Sequence, residues 1–159
     1  MSLLSQKTIS KKISFQGIGI HTGKKVNLNI LPSLPNSGIV FKRVDLQTRN
    51  IIHANYANVT NTTLCTTISN EYGTHVSTIE HLMGALYGVG IDNAIIEVDS
   101  QEVPILDGSA KLFVSKINNV GIKLSDQPIK IIKINKKIKI KNGDKFISID
   151  KSFPIVNAV

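Results

Sequence analysis

Glu80 and His81 stand side by side in STIEHLMGAL (77–86), a stretch with no other charged residue. A carboxylate next to an imidazole can do acid–base work, and an imidazole can also bind a metal. Two roles are open to the pair. In the first, Ser77 and Glu80 form an S-x-x-E capping box, each side chain satisfying a backbone N–H at a helix start, and His81 faces solvent. In the second, the pair is half of a catalytic site. Ile79, Leu82, Met83 and Leu86 follow the i, i+3, i+4, i+7 rule and make one apolar face. At about 100° per residue, Glu80 and His81 fall off that stripe. Gly84 and Ala85 share their side of the helix and leave room for a ligand or another domain. The first turn of a helix also favours an anionic partner, through its free N–H groups and its dipole.

GIGIHTG (17–23) is the next candidate. A dinucleotide fingerprint would need Gly where Thr22 stands, and no helix follows. Either this is a strand end with a glycine-rich turn, or His21 sits on a loop where backbone must come close to a ligand. The four histidines are His21, His53, His75 and His81, and the residues four positions after them are Lys25, Ala57, Ile79 and Ala85. No helical pair therefore supplies two metal ligands, whereas catalytic zinc takes three protein ligands and an open position.

These residues must be carried by a modest aliphatic domain. The chain has 159 residues, 42% of them apolar and 5% aromatic, with no Trp. A single cysteine, Cys65, rules out a disulfide framework within one chain and suggests a reducing, cytoplasmic setting. The N-terminal MSLLSQKTISKK has too short an apolar run for a signal peptide. No apolar stretch approaches the roughly 20 residues that span a bilayer. The net charge of +8 lies wholly in residues 111–159, which hold eleven Lys and three Asp, while residues 1–110 balance eight against eight. That basic block has no Arg, and its Ile/Lys alternation fits half-buried strands with a solvated outer face. A nucleic-acid surface is the weaker explanation.

Short alternating runs at 7–20, 24–32 and 38–45 predict strands, with a loop at Pro32, Pro35, Asn36 and Gly38. TLCTTIS and THVST flank NEYG as a hairpin-like pair. A helix from near Ser77 stops at Gly88 and Gly90, and NAIIEVD is a strand. A second helix within 104–121 takes Asp107 or Ser109 as its N-cap and turns Leu112, Phe113, Ile117 and Val120 inward. KLSDQP (123–128) reads as the boundary, and 129–150 as strands with a hairpin turn at Asn142–Asp144. The fold class is α+β: a two-layer domain over 1–126, its small, mostly antiparallel sheet packed on two helices. Residues 127–159 begin a second, incomplete domain of similar type.

Four motifs in this order and spacing, GIGIHTGKKVNLNILP (17–32), TLCTTI (63–68), STIEHLMGALYGVGIDNAIIEV (77–98) and EVPILDGSAKLFV (102–114), resemble the UDP-3-O-acyl-N-acetylglucosamine deacetylases. That family is the zinc amidase committing sugar precursors to lipid A in Gram-negative bacteria. The resemblance covers residues 7 to about 150. It implies two similar α+β domains with the active site between them. It also implies that Glu80 is the general base, that His81 is a zinc ligand, and that His21 lies on a loop near the site. Leu64 and Cys65 match positions lining the substrate passage. The family's second domain carries H-K-x-x-D, supplying the other zinc ligands, and a later His acting as general acid; these are not in this sequence. The expectation is a chain holding half of a site, inactive alone, with UDP-3-O-acyl-N-acetylglucosamine as substrate and room for a separately encoded second domain as partner. The alternative is a non-catalytic remnant that binds a UDP-sugar or acts as a scaffold.

Overall fold

A computed structural model describes residues 5–151. They divide into two units, one up to Ile129 and one from Lys130.

The first unit is built on a five-stranded sheet. Its strands are β2 (Ile13–Ile18), β3 (Lys25–Pro32), β4 (Ile39–Arg43), β5 (Ile51–His53) and, numbered ninth along the chain, β9 (Ala94–Val98). Their spatial order is β2-β3-β9-β4-β5. All neighbours are antiparallel except β4 and β9, which run parallel. Alternation dictates which face is buried: Val26, Leu28 and Ile30 of β3 point into the core, and Asn27 and Asn29 point away. Two helices cover the apolar face, α1 (Glu80–Val89) and α2 (Lys111–Val120). Leu82, Ala85 and Leu86 from α1 join Phe113 and Ile117 from α2 in one cluster with the sheet. The core is aliphatic, with Phe15 and Phe113 packed at 4.8 Å between ring centroids. This is the two-layer α+β arrangement.

Three smaller strands form a second sheet: β6 (Val59–Asn61), β7 (Thr67–Ser69) and β8 (His75–Val76), in that order. The NEYG stretch turns between β7 and β8, with Asn70 Oδ1 accepting from the Tyr72 and Thr74 amides at 3.0 Å each. Arg43 ties this sheet to the larger one. Its guanidinium grips Asp45 and donates to the His75 carbonyl at 2.9 Å. The Arg43 hydrogen bond is the chief reason the Asp45 pKa lies below its ordinary value.

Several sequence expectations change here. The run 7–20 is two strands that part company at Ser10–Lys12: β1 (Ser5–Ile9) leaves the five-stranded sheet and pairs with β10 (Ile122–Pro128). KLSDQP is therefore paired backbone inside the first unit, and the division falls after Ile129. Its polar composition resembles a loop because its side chains are mostly exposed, while its peptide groups are taken up by β1. Leu112 is 43% exposed: it lies a helical step away from the Phe113–Ile117 stripe. Strands β5 and β6 are too short, at three residues each, for a visible alternation.

In the second unit, β11 (Ile138–Asn142) and β12 (Lys145–Ile149) form a hairpin around Gly143–Asp144. Gly143 has φ +60°, the left-handed conformation that the NGD signal anticipates. Cross-strand pairs match Ile138 with Ile149 and Ile140 with Ile147. Residues 129–134, expected to be extended, belong to no strand. Among the described residues no helix is long and apolar enough to cross a membrane.

Candidate functional site

The start of α1 is where the candidate residues meet. Glu80 is its first residue and His81 its second, both half-buried. The capping box does not form. Ser77 lies in a bridge with Glu102, before the chain turns into the helix, and its hydroxyl donates to the Gln101 carbonyl at 3.2 Å. The N-cap position belongs to Ile79, which makes no side-chain cap. Between Ser77 and Ile79, Thr78 takes φ +58°. For a β-branched residue that conformation costs on the order of 1–3 kcal/mol.

The Glu80 carboxylate is directed sideways instead, accepting from the Thr66 amide at 3.0 Å through Oε2. This bond links α1 to the TLCTTI segment. Leu64 lies two residues before Thr66 at φ +64° and is 88% exposed. Cys65 is a free, half-buried thiol whose sulfur lies 3.8 Å from the Thr67 hydroxyl. Next to Glu80, Tyr56, Val59, Ile68, Ile79 and Met83 are among the residues lining an apolar groove of about 290 Å³. Gly84 is open to solvent as the wheel suggests, but Ala85 faces the core and leaves no room on its side. His81 Nδ1 is buried with no hydrogen-bond partner. A buried nitrogen left unpaired costs free energy, so a ligand drawn to that ring would offset a real penalty.

His21 reaches the same neighbourhood through its backbone. Its side chain is exposed, and its amide donates to Glu102 Oε1 at 3.0 Å. Glu102 has no exposed surface, and sequence reasoning missed it. Its Oε1 also accepts from the Thr78 hydroxyl at 2.9 Å, and its Oε2 accepts from the Thr22 amide at 2.9 Å and the Thr22 hydroxyl at 2.7 Å. Burial alone would push its pKa up. The Thr22 hydroxyl, the His21 and Thr22 amides and the Thr78 hydroxyl outweigh that, and the net shift is downward. The available signal was a lone acid heading the apolar run EVPIL. Two glycines of GIGIHTG are explained by close packing, and Gly23 by its left-handed φ of +65°. A Cβ on Gly19 would collide with Glu102 Oε2 and the Thr22 hydroxyl, and one on Gly17 would fall 3.0 Å from Pro104 Cβ.

Among the described residues no group of three His, Cys, Asp or Glu side chains could hold a metal ion. What the site offers is one carboxylate with an oxygen left over, one imidazole with an unmatched nitrogen, and an apolar groove beside the carboxylate. The family model for LpxC, UDP-3-O-acyl N-acetylglycosamine deacetylase, matches residues 6–155. The chain belongs to the LpxC family. Curated deacetylases of this family from Pseudoalteromonas atlantica and Shewanella denitrificans are each 48% identical to it over 144 residues, and one from Shewanella baltica is 46% identical. Each alignment covers 91% of this chain and 47% of the relative, so the chain spans about half the length of these LpxC proteins.

Proposed function

We propose that this chain carries half of the active site of a UDP-3-O-acyl-N-acetylglucosamine deacetylase in lipid A biosynthesis, with Glu80 as general base and His81 as a zinc ligand. The supporting observation is the pairing of a held carboxylate and an unmatched imidazole at one helix start, in a member of this family. Glu80 keeps one oxygen on the Thr66 amide, which fixes the carboxylate and leaves the other oxygen to take a proton from water. His81 fits zinc as a single donor, since no group of three such donors gathers among the described residues, and the further donors are proposed to come from a second domain. Zinc bound there supplies Lewis acidity toward the acetamide carbonyl and its attacking water. His21, Leu64 and Cys65 lie on the two segments tied to the α1 start and are proposed to contact the substrate. The apolar groove beside Glu80 and the free thiol of Cys65 fit an acylated substrate and a reducing cytoplasm.

The test joins this chain to the remaining half of a relative and follows acetate release from UDP-3-O-acyl-N-acetylglucosamine. Glu80→Gln keeps an acceptor for the Thr66 amide and loses the base. Turnover should fall on the order of 10²–10⁴-fold with zinc content retained. His81→Ala should lose zinc together with activity. Full activity in Glu80→Gln overturns the proposal.

A further inference from the structure

Among the described residues Glu102 is the one fully buried acid, and no Lys, Arg or His pairs with it. A carboxylate in such a place is tolerated only if it is saturated with donors. Here the donors come from two separate segments. Oε2 is taken by Thr22 alone, through its amide and its hydroxyl. Oε1 is shared between the His21 amide and the Thr78 hydroxyl. That oxygen is a joint: on one side is the turn that presents His21, and on the other the strained residue two positions before Glu80. Gly19 lies against the same carboxylate and admits no Cβ, so the joint has no slack.

We infer that Glu102 is the positioning residue of this site: its carboxylate locks the His21–Thr22 turn to Thr78 and thereby fixes where Glu80 and His81 begin. The inference rests on the roles proposed above for Glu80 and His81. Removing the charge should free the start of α1 while the rest of the domain stays packed.

The experiment uses the 159-residue chain, isotopically labelled, as wild type, Glu102→Gln, Thr78→Val and the double variant. Amide exchange is read residue by residue, and the His81 ring signal is followed during titration with Zn²⁺. In Glu102→Gln the Met83 amide, bonded to the Ile79 carbonyl, and the His21 and Thr22 amides should exchange about tenfold faster or more. The Gly121 amide at the end of α2 should keep its wild-type rate. Thr78→Val should accelerate Met83 by itself, and should add less than that single effect in the Glu102→Gln background. The Zn²⁺ response of the His81 ring should weaken in both single variants. Uniform acceleration through α1, α2 and β9 would make Glu102 a plain stability residue and overturn the inference. So would an unchanged Met83 amide in Thr78→Val, a near-isosteric change that loses only the hydroxyl and so keeps the test available if Glu102→Gln does not fold. A lone imidazole can bind Zn²⁺ weakly, so an unmoved His81 signal in the wild type leaves the metal role to the joined protein of the preceding test, and the exchange pattern still decides the role of Glu102.

Discussion

Helices α1 and α2 are both ten residues long and cover the same sheet, yet they begin in opposite ways. The start of α2 is local and exposed: its N-cap position falls on Ala110, not on Asp107 or Ser109 as the sequence suggested, and those two residues act from the turn before it. The Asp107 carboxylate accepts from the Ser109 amide and hydroxyl, and the Ser109 hydroxyl oxygen accepts from the Lys111 amide at 3.1 Å. The start of α1 is tertiary. Thr78 is held by Glu102, which is 24 residues further on, and Glu80 is held by Thr66, which is 14 residues earlier. A helix start held by neighbours on the surface can fray with little consequence. One made from distant segments places the helix end relative to those segments. The candidate catalytic pair sits on the helix whose origin is set by the rest of the domain.

The largest expected effect breaks the α2 side. Phe113 is fully buried against Phe15, and Phe113→Ala should cost about 3–5 kcal/mol. Urea unfolding should show this as a lower midpoint at an unchanged slope. The α1 side breaks differently. Gly19→Ala puts a methyl into the Glu102 carboxylate and should cost about 1–3 kcal/mol. Its chemical-shift changes should gather at His21, Thr78, Glu80 and His81, and leave Phe113 and Ile117 unmoved; a spread over both helices would erase the contrast. Acid sharpens the contrast further. Glu102 and Asp45 both have lowered pKa values in the fold. Their stabilisation is complete above the unfolded values near about 4, and is lost as pH falls through the lower folded values. Acid unfolding followed by circular dichroism should therefore be shallower in Glu102→Gln than in wild type. The smallest effect is at the surface turn before α2, where Ser109→Ala removes the acceptor of the Lys111 amide, should cost about 0.5–1 kcal/mol and should perturb only the first turn of α2.

The same contrast explains what was legible in the sequence. Strands β2, β3 and β9 alternate clearly because one face of their sheet is wet, and α2 with its Asp107–Ser109 turn is written in adjacent letters. Glu80 and His81 stood out by type, and the glycine-rich turn by composition. The brace between them did not, because Glu102, Thr78 and Thr22 are far apart in the chain and each looks ordinary alone. The S-x-x-E spacing was misleading for a related reason. A long-range acceptor, the Gln101 carbonyl, takes the Ser77 hydroxyl, and a long-range donor, the Thr66 amide, takes the Glu80 carboxylate. The β1–β10 pair escaped notice because pairing over such a separation leaves no periodic trace at either end.

The position of β9 has a consequence for how the domain is made. It is the middle strand of its sheet, between β3 and β4, but the last of the five to leave a ribosome. Until Ala94–Val98 emerge, β3 and β4 each wait with an unfilled edge, and the strands cannot close around their centre. β1 waits longer still, for a partner beginning at Ile122. Synthesis therefore delivers the keystone late. Contacts between segments so distant in sequence form slowly, because the loop between them must first be closed. The nascent chain spends that interval with these edges open, and a co-translational pulse-labelling experiment should find protection in β3 and β4 appearing only after β9 has been made.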